Sequence, residues 1–125
     1  MTEKQASETH WPDYYDVTAE RPSWTTTRTA ADAFGEHPPE GPRLAVDLGC
    51  GAGRDTRELL RRGWRVLATD MTPEGPETLW RLTPEADRGR LETEVSRLQD
   101  FEIPACDLLN ANLILPFQSA QDYAD

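Results

Sequence analysis

Apolar residues gather along this chain in short runs, and glycine and proline punctuate them. Leu44-Ala45-Val46-Asp47-Leu48 is apolar throughout except for one acid near its end, the pattern of a strand. Gly49, Gly51 and Gly53 follow at alternate positions. Thr56, Leu59 and Leu60 then fall on one side of a helix, Arg57, Glu58, Arg61 and Arg62 are expected to face water, and Gly63 ends it. Trp64 to Asp70 reads as a second strand that also closes on an acid. Thr72-Pro73-Glu74 opens a helix that Gly75-Pro76 is expected to break, leaving its firmer part from Pro76 to Leu82 and a short turn from Thr83. Leu91 to Leu98 alternates enough for a third strand. Asp107 to Phe117 is a fourth, apolar but for Asn110 and Asn112, which stand two apart and so on one side. Upstream, Ser23 can cap a helix from Trp24 to Phe34 with Gly35 as its stop, and residues 36–43 form a proline-bearing loop.

The strand, glycine turn, helix and second strand form a βαβ unit, and chemistry concentrates in its turn. Glycine reaches positive φ without steric cost and lets a ligand approach the backbone. A dinucleotide site usually reads G-x-G-x-x-G and seats a pyrophosphate on the helix start. Here the glycines read G-x-G-x-G, with Asp47 two residues ahead of Gly49. An acid beside the turn repels a pyrophosphate and suits an ammonium or sulfonium. Asp70 lies 21 residues beyond Gly49, at the distance where a βαβ unit returns to the same sheet edge, and its carboxylate can accept both hydroxyls of a ribose.

The turn Asp47-Leu48-Gly49-Cys50-Gly51-Ala52-Gly53 with the distal acid Asp70 resembles motif I and the following acid of the class I S-adenosylmethionine-dependent methyltransferases. That resemblance implies an α/β, Rossmann-like doubly wound parallel sheet, here incomplete, with strand order 3-2-1-4 and an N-terminal helical arm. It implies S-adenosylmethionine as cofactor, with Asp47, Gly49, Gly51, Gly53 and Asp70 in its site. It places the adenine against the loop after the third strand, at Asp100 and Phe101, and it puts Asn110 at the position of motif IV, beside the methyl group and the substrate. Residues 1–22 read as an N-terminal arm or lid, either with Tyr14 or Tyr15 covering apolar ligand surface and Arg21 pairing with a carboxylate, or with the rings simply anchoring the arm to the domain; residues 23–125 read as a partial methyltransferase domain. The resemblance runs from about Tyr14 to Phe117, and the strands that usually complete the sheet have no counterpart. The expectation is therefore a chain that binds the cofactor, with turnover in doubt and no catalytic base identified.

Composition narrows the partners. With 125 residues there is room for one small domain. The formal charge of −10 argues against nucleic acid and favours a small-molecule acceptor. No run approaches the roughly 18 apolar residues of a membrane span, and the first residues lack a secretion signal, so a cytoplasmic location is expected. Cys50 and Cys106 read as reduced thiols, and with no C-x-x-C or Cys/His cluster no metal is expected. His10 and His37 read as surface residues. Strand 4 would lie at a sheet edge open to a second copy, a homodimer contact. Two rival readings remain: a non-catalytic Rossmann-like remnant or interaction module, and a nicotinamide oxidoreductase that the glycine spacing disfavours.

Overall fold

The computed structural model describes residues 22–111. In chain order the elements are α1 (Thr25–Phe34), β1 (Leu44–Leu48), α2 (Arg54–Arg61), β2 (Arg65–Asp70), α3 (Glu74–Leu82), a 3-10 turn (Glu85–Arg90), β3 (Leu91–Val95), a second 3-10 turn (Leu98–Asp100) and β4 (Leu108–Asn110). The strands form one parallel sheet in the order β3-β2-β1-β4, so the expected incomplete Rossmann-like topology is present. Its register pairs Leu48 with Thr69, Asp47 with Asn110 and Asp70 with Val95. Parallel pairing carries the chemically distinctive ends of β1, β2 and β4 to one edge. The order reverses between β1 and β4, the place where open α/β sheets leave a crevice for ligands.

β1 and β2 are held between helices by a compact apolar centre. Ala45, Val46, Leu59, Leu60, Trp64, Val66, Ala68 and Leu79 are all buried. Trp64 is 1% exposed, and its ring meets Phe34 edge-on at 5.1 Å between centroids. The Arg90 guanidinium closes this end by donating to the carbonyls of Leu60 at 2.8 Å and Trp64 at 2.9 Å.

Four sequence expectations are corrected here. Gly75-Pro76 does not break α3, which is continuous from Glu74 to Leu82, because proline in a first turn lacks only an N–H that would have had no intrahelical acceptor. β3 stops at Val95, since the chain turns into the 3-10 segment Leu98–Asp100. His37 is not a free surface residue. It is half-buried, its Nδ1 accepts the Arg43 N–H at 3.1 Å, its Nε2 lies 3.0 Å from the Arg62 carbonyl, and its ring meets Trp64 edge-on. The tautomer protonated at Nε2 satisfies both bonds. Arg57 and Glu58 on α2 and Arg62 at its C-cap are half-buried, with Arg62 pairing to Glu58 at 2.9 Å and to Asp32 of α1 at 2.6 Å. β4 is described over Leu108–Asn110, and Asn112 and the rest of the predicted fourth strand lie outside the described residues.

Trp64→Ala should lower unfolding free energy by about 3–5 kcal/mol, because it empties the largest buried site between α1, α2 and the sheet. Urea denaturation reads this directly, and a loss below about 1 kcal/mol would show that Trp64 does not anchor the core.

Candidate functional site

The turn after β1 bends three times through left-handed backbone, with φ of 68° at Gly49, 55° at Gly51 and 77° at Gly53. A side chain at Gly53 would also run into Leu79 of α3. The turn is stitched to its surroundings by the Cys50 N–H on the Thr69 carbonyl at 2.8 Å and by the Gly53 N–H on the Cys50 carbonyl at 2.9 Å. α3 presses on it from the far side. A Cβ at Gly75 would stand 3.0 Å from the Gly51 carbonyl oxygen and 3.3 Å from Asp70 Oδ2. The dipeptide that sequence reasoning took for a helix breaker thus brings α3 onto the glycine turn.

Asp70 joins the two halves of this corner. Its Oδ2 accepts the Gly51 N–H at 2.8 Å, and its Oδ1 accepts the Thr72 N–H at 3.2 Å and the Thr72 hydroxyl at 3.4 Å. The glycine turn and the acid ending β2 are therefore in direct contact at one end of the sheet.

Behind the turn lies a buried polar network. Asp47 is 3% exposed and accepts the Thr56 hydroxyl at 2.6 Å and the Asn110 amide at 3.0 Å. The same Asn110 nitrogen donates to Asp55 Oδ2 at 3.1 Å, and Thr27 donates its hydroxyl to Asn110 Oδ1 at 3.1 Å. Asp55 Oδ1 accepts the Trp24 N–H at 2.8 Å, which fastens the start of α1 to the start of α2. Burial pushes the Asp47 carboxyl up to about 7; Thr56 and Asn110 oppose the rise, and Asp55 and Asp70 add to it. Asp55, Thr56 and Thr27 join this network; the sequence pattern marks Thr56 only as part of the inward side of its helix and does not mark Asp55 or Thr27. Thr56 and Asp55 follow the glycines closely enough to be found, but Thr27 lies 83 residues from Asn110 and leaves no local signal.

The structure thus brings Asp47, Gly49, Gly51, Gly53, Asp70 and Asn110 together. Asp100 and Phe101 stand at the 3-10 turn after β3, in a segment tied to the end of β2 by the Ser96 N–H on the Asp70 carbonyl at 2.9 Å; there Asp100 is exposed and pairs with Arg97 at 2.7 Å. Tyr15 and Arg21 lie outside the described residues. Burial and the neighbouring Asp47 and Asp70 push the Cys50 thiol well above its ordinary range, so it is a poor nucleophile. Among the described residues no group of His, Cys, Asp and Glu could hold a metal ion, and no helix is long and apolar enough to cross a membrane.

The family model described as "Methyltransferase domain" matches residues 46–123. Among solved structures, the chain resembles a TehB-like SAM-dependent methyltransferase from Corynebacterium glutamicum, at 19% identity and a TM-score of 0.64 over 96% of this chain and 60% of that one. It resembles TehB from Haemophilus influenzae at 20% identity and a TM-score of 0.64, over 84% of this chain and 35% of that one. Phosphoethanolamine N-methyltransferase 1 of Haemonchus contortus, solved with phosphoethanolamine and S-adenosylhomocysteine, matches at 18% identity and a TM-score of 0.60, over 98% of this chain and 28% of that one. The chain therefore spans 60% or less of each of these proteins. No curated protein matches.

Asp47 gives this corner a pH signature. Its folded value of about 7 exceeds the ordinary 3.8, so between the two the folded chain holds a proton that the unfolded chain has lost. Stability from this group is complete below the lower value, declines as pH rises toward the higher one and is flat above it. Asp47→Asn, uncharged throughout, should escape the decline and exceed the wild type in stability at pH 8 by about 1 kcal/mol or more relative to their difference at pH 5. Denaturation of both proteins at the two pH values checks this, and an unchanging difference would mean that Asp47 is not held protonated.

Proposed function

The chain belongs to the methyltransferase domain family, and we propose that it binds S-adenosylmethionine across the carboxyl ends of β1 and β2, for transfer of the methyl group to a small-molecule acceptor. The contact between Asp70 and the Gly51 N–H carries this reading, because it joins a hydroxyl-accepting acid to a ligand-approachable turn. The donor set fits such a ligand. Asp70 ends β2 against the Gly51 N–H, and a carboxylate there is an acceptor-only group of the kind that ribose hydroxyls donate to. Asp47, once ionised, supplies negative charge behind the turn, which favours an ammonium or sulfonium and disfavours the pyrophosphate of a dinucleotide. The formal charge of −10 supports a small-molecule acceptor over nucleic acid.

When bound, the cofactor supplies an electrophilic methyl on a cationic sulfur. The acids of this chain stabilise that cation most in the ground state, since its charge is dispersed as the methyl leaves; they serve binding more than rate. Rate enhancement then rests on alignment and exclusion of water at the crevice between β1 and β4. Within the same reading Asp100 and Phe101 meet the adenine, which requires Asp100 to exchange Arg97 for the exocyclic amine.

Calorimetry should show heat with S-adenosylhomocysteine and none with NAD. Asp70→Ala should weaken the former by about 1–3 kcal/mol, through loss of charge-assisted hydrogen bonds to the ribose. Heat with NAD alone would replace this reading with an oxidoreductase, and heat with neither would favour a non-catalytic remnant.

A further inference from the structure

Asn110 ends β4 directly opposite Asp47 in the β1–β4 register and is 7% exposed. Its amide carries two N–H groups, and the geometry divides them between two acids: 3.0 Å to Asp47 Oδ1 and 3.1 Å to Asp55 Oδ2. Carboxylates accept, so the NH2 must face them, and the Thr27 hydroxyl at 3.1 Å donates to the remaining oxygen. A side chain tied in this way has committed both of its donors to the protein's own acids. It is badly placed to donate to a ligand and well placed to govern the acids it touches.

We propose that Asn110 is a positioning residue that acts through Asp47: its N–H favours the carboxylate over the carboxylic acid behind the glycine turn, where a cationic ligand group needs a negative charge. The inference rests on the cofactor reading above and adds to it how the site secures its charge. Several groups face Asp47. Asp55 from α2 and Asp70 from β2 oppose its ionisation, as does burial, while the Cys50 thiol beside it in the turn stays neutral. Thr56 and Asn110 are the two donors that favour ionisation, and the balance leaves the carboxyl at about 7. A cation arriving at the turn tips that balance further. The proton then leaves the Asp47 carboxyl for solvent as the ligand binds, so binding and proton release are linked. Without the Asn110 N–H the acid form persists to higher pH, and affinity is lost near neutrality and regained above it.

The test uses the full chain and S-adenosylhomocysteine, whose ammonium is the cationic probe. Affinity is measured by calorimetry from pH 6 to pH 8.5 for the wild type and Asn110→Leu, and carbon-13 NMR follows the Asp47 carboxyl in the unliganded proteins. For the wild type, affinity should fall about tenfold between pH 8 and pH 6. In Asn110→Leu the Asp47 midpoint should rise by about half a unit or more, with affinity several-fold below wild type at pH 7 and within about threefold of it at pH 8.5. A loss of affinity equal at every pH, with the Asp47 midpoint unmoved, would show a merely structural role and overturn the proposal. A wild-type midpoint at the ordinary carboxyl value would overturn it too. If Asn110→Leu does not fold, Thr27→Val releases the hydroxyl that orients the amide and should raise the midpoint in the same direction; no rise there counts against the proposal. Absence of heat at every pH would overturn the cofactor reading, and the midpoint in the unliganded proteins would still decide separately whether Asn110 acts on Asp47.

Discussion

Parallel pairing of β1 with β2 sets Leu48 against Thr69, and with that register fixed the next residues of each strand must meet. The result is the bond from the Gly51 N–H to Asp70 Oδ2 at 2.8 Å. A shift of one residue would turn Asp70 to the opposite face and separate it from the turn. The apolar centre beneath, with Trp64, Leu59, Leu60 and Leu79 fully buried, makes such a slip costly. The core therefore acts on the site by holding a register more than by surrounding a ligand.

The second constraint is burial of acid. Asp47, Asp55 and Asp70 are each less than a tenth exposed and cluster around one turn. Repulsion and desolvation would expel charge from such a place, and among the described residues neutral donors meet these acids: Thr56 and Asn110 on Asp47, Asn110 and the Trp24 N–H on Asp55, Gly51 and Thr72 on Asp70. Neutral donors moderate the charge without cancelling it. The corner remains suited to a cation, and α1 and α2 are drawn together by the same bonds.

Much of this was legible in the sequence because local patterns carry it. The apolar run at Leu44–Leu48 has the bounds of β1, and the G-x-G-x-G spacing with a terminal acid on the next strand located the turn and its partner. What was not legible depends on contacts between distant segments. Thr27 and Trp24 join the network only because α1 packs over β4 and the start of α2, and His37 becomes a loop clamp only because Arg43 and Arg62 frame it. Gly75-Pro76 misled for a different reason. Propensity describes an isolated helix, whereas here the missing side chain at Gly75 is what allows α3 to lie against the Gly51 carbonyl.

On the function proposed above, one nucleoside ligand with a cationic amino-acid end spans the glycine turn and the acid at the end of β2. Backbone amide NMR during titration with S-adenosylhomocysteine tests it most directly. The largest and saturable shifts are expected at Gly49, Gly51, Gly53 and Asp70, rising together with one dissociation constant. Saturable shifts confined to the opposite edge of the sheet, with these four amides unmoved, would contradict it.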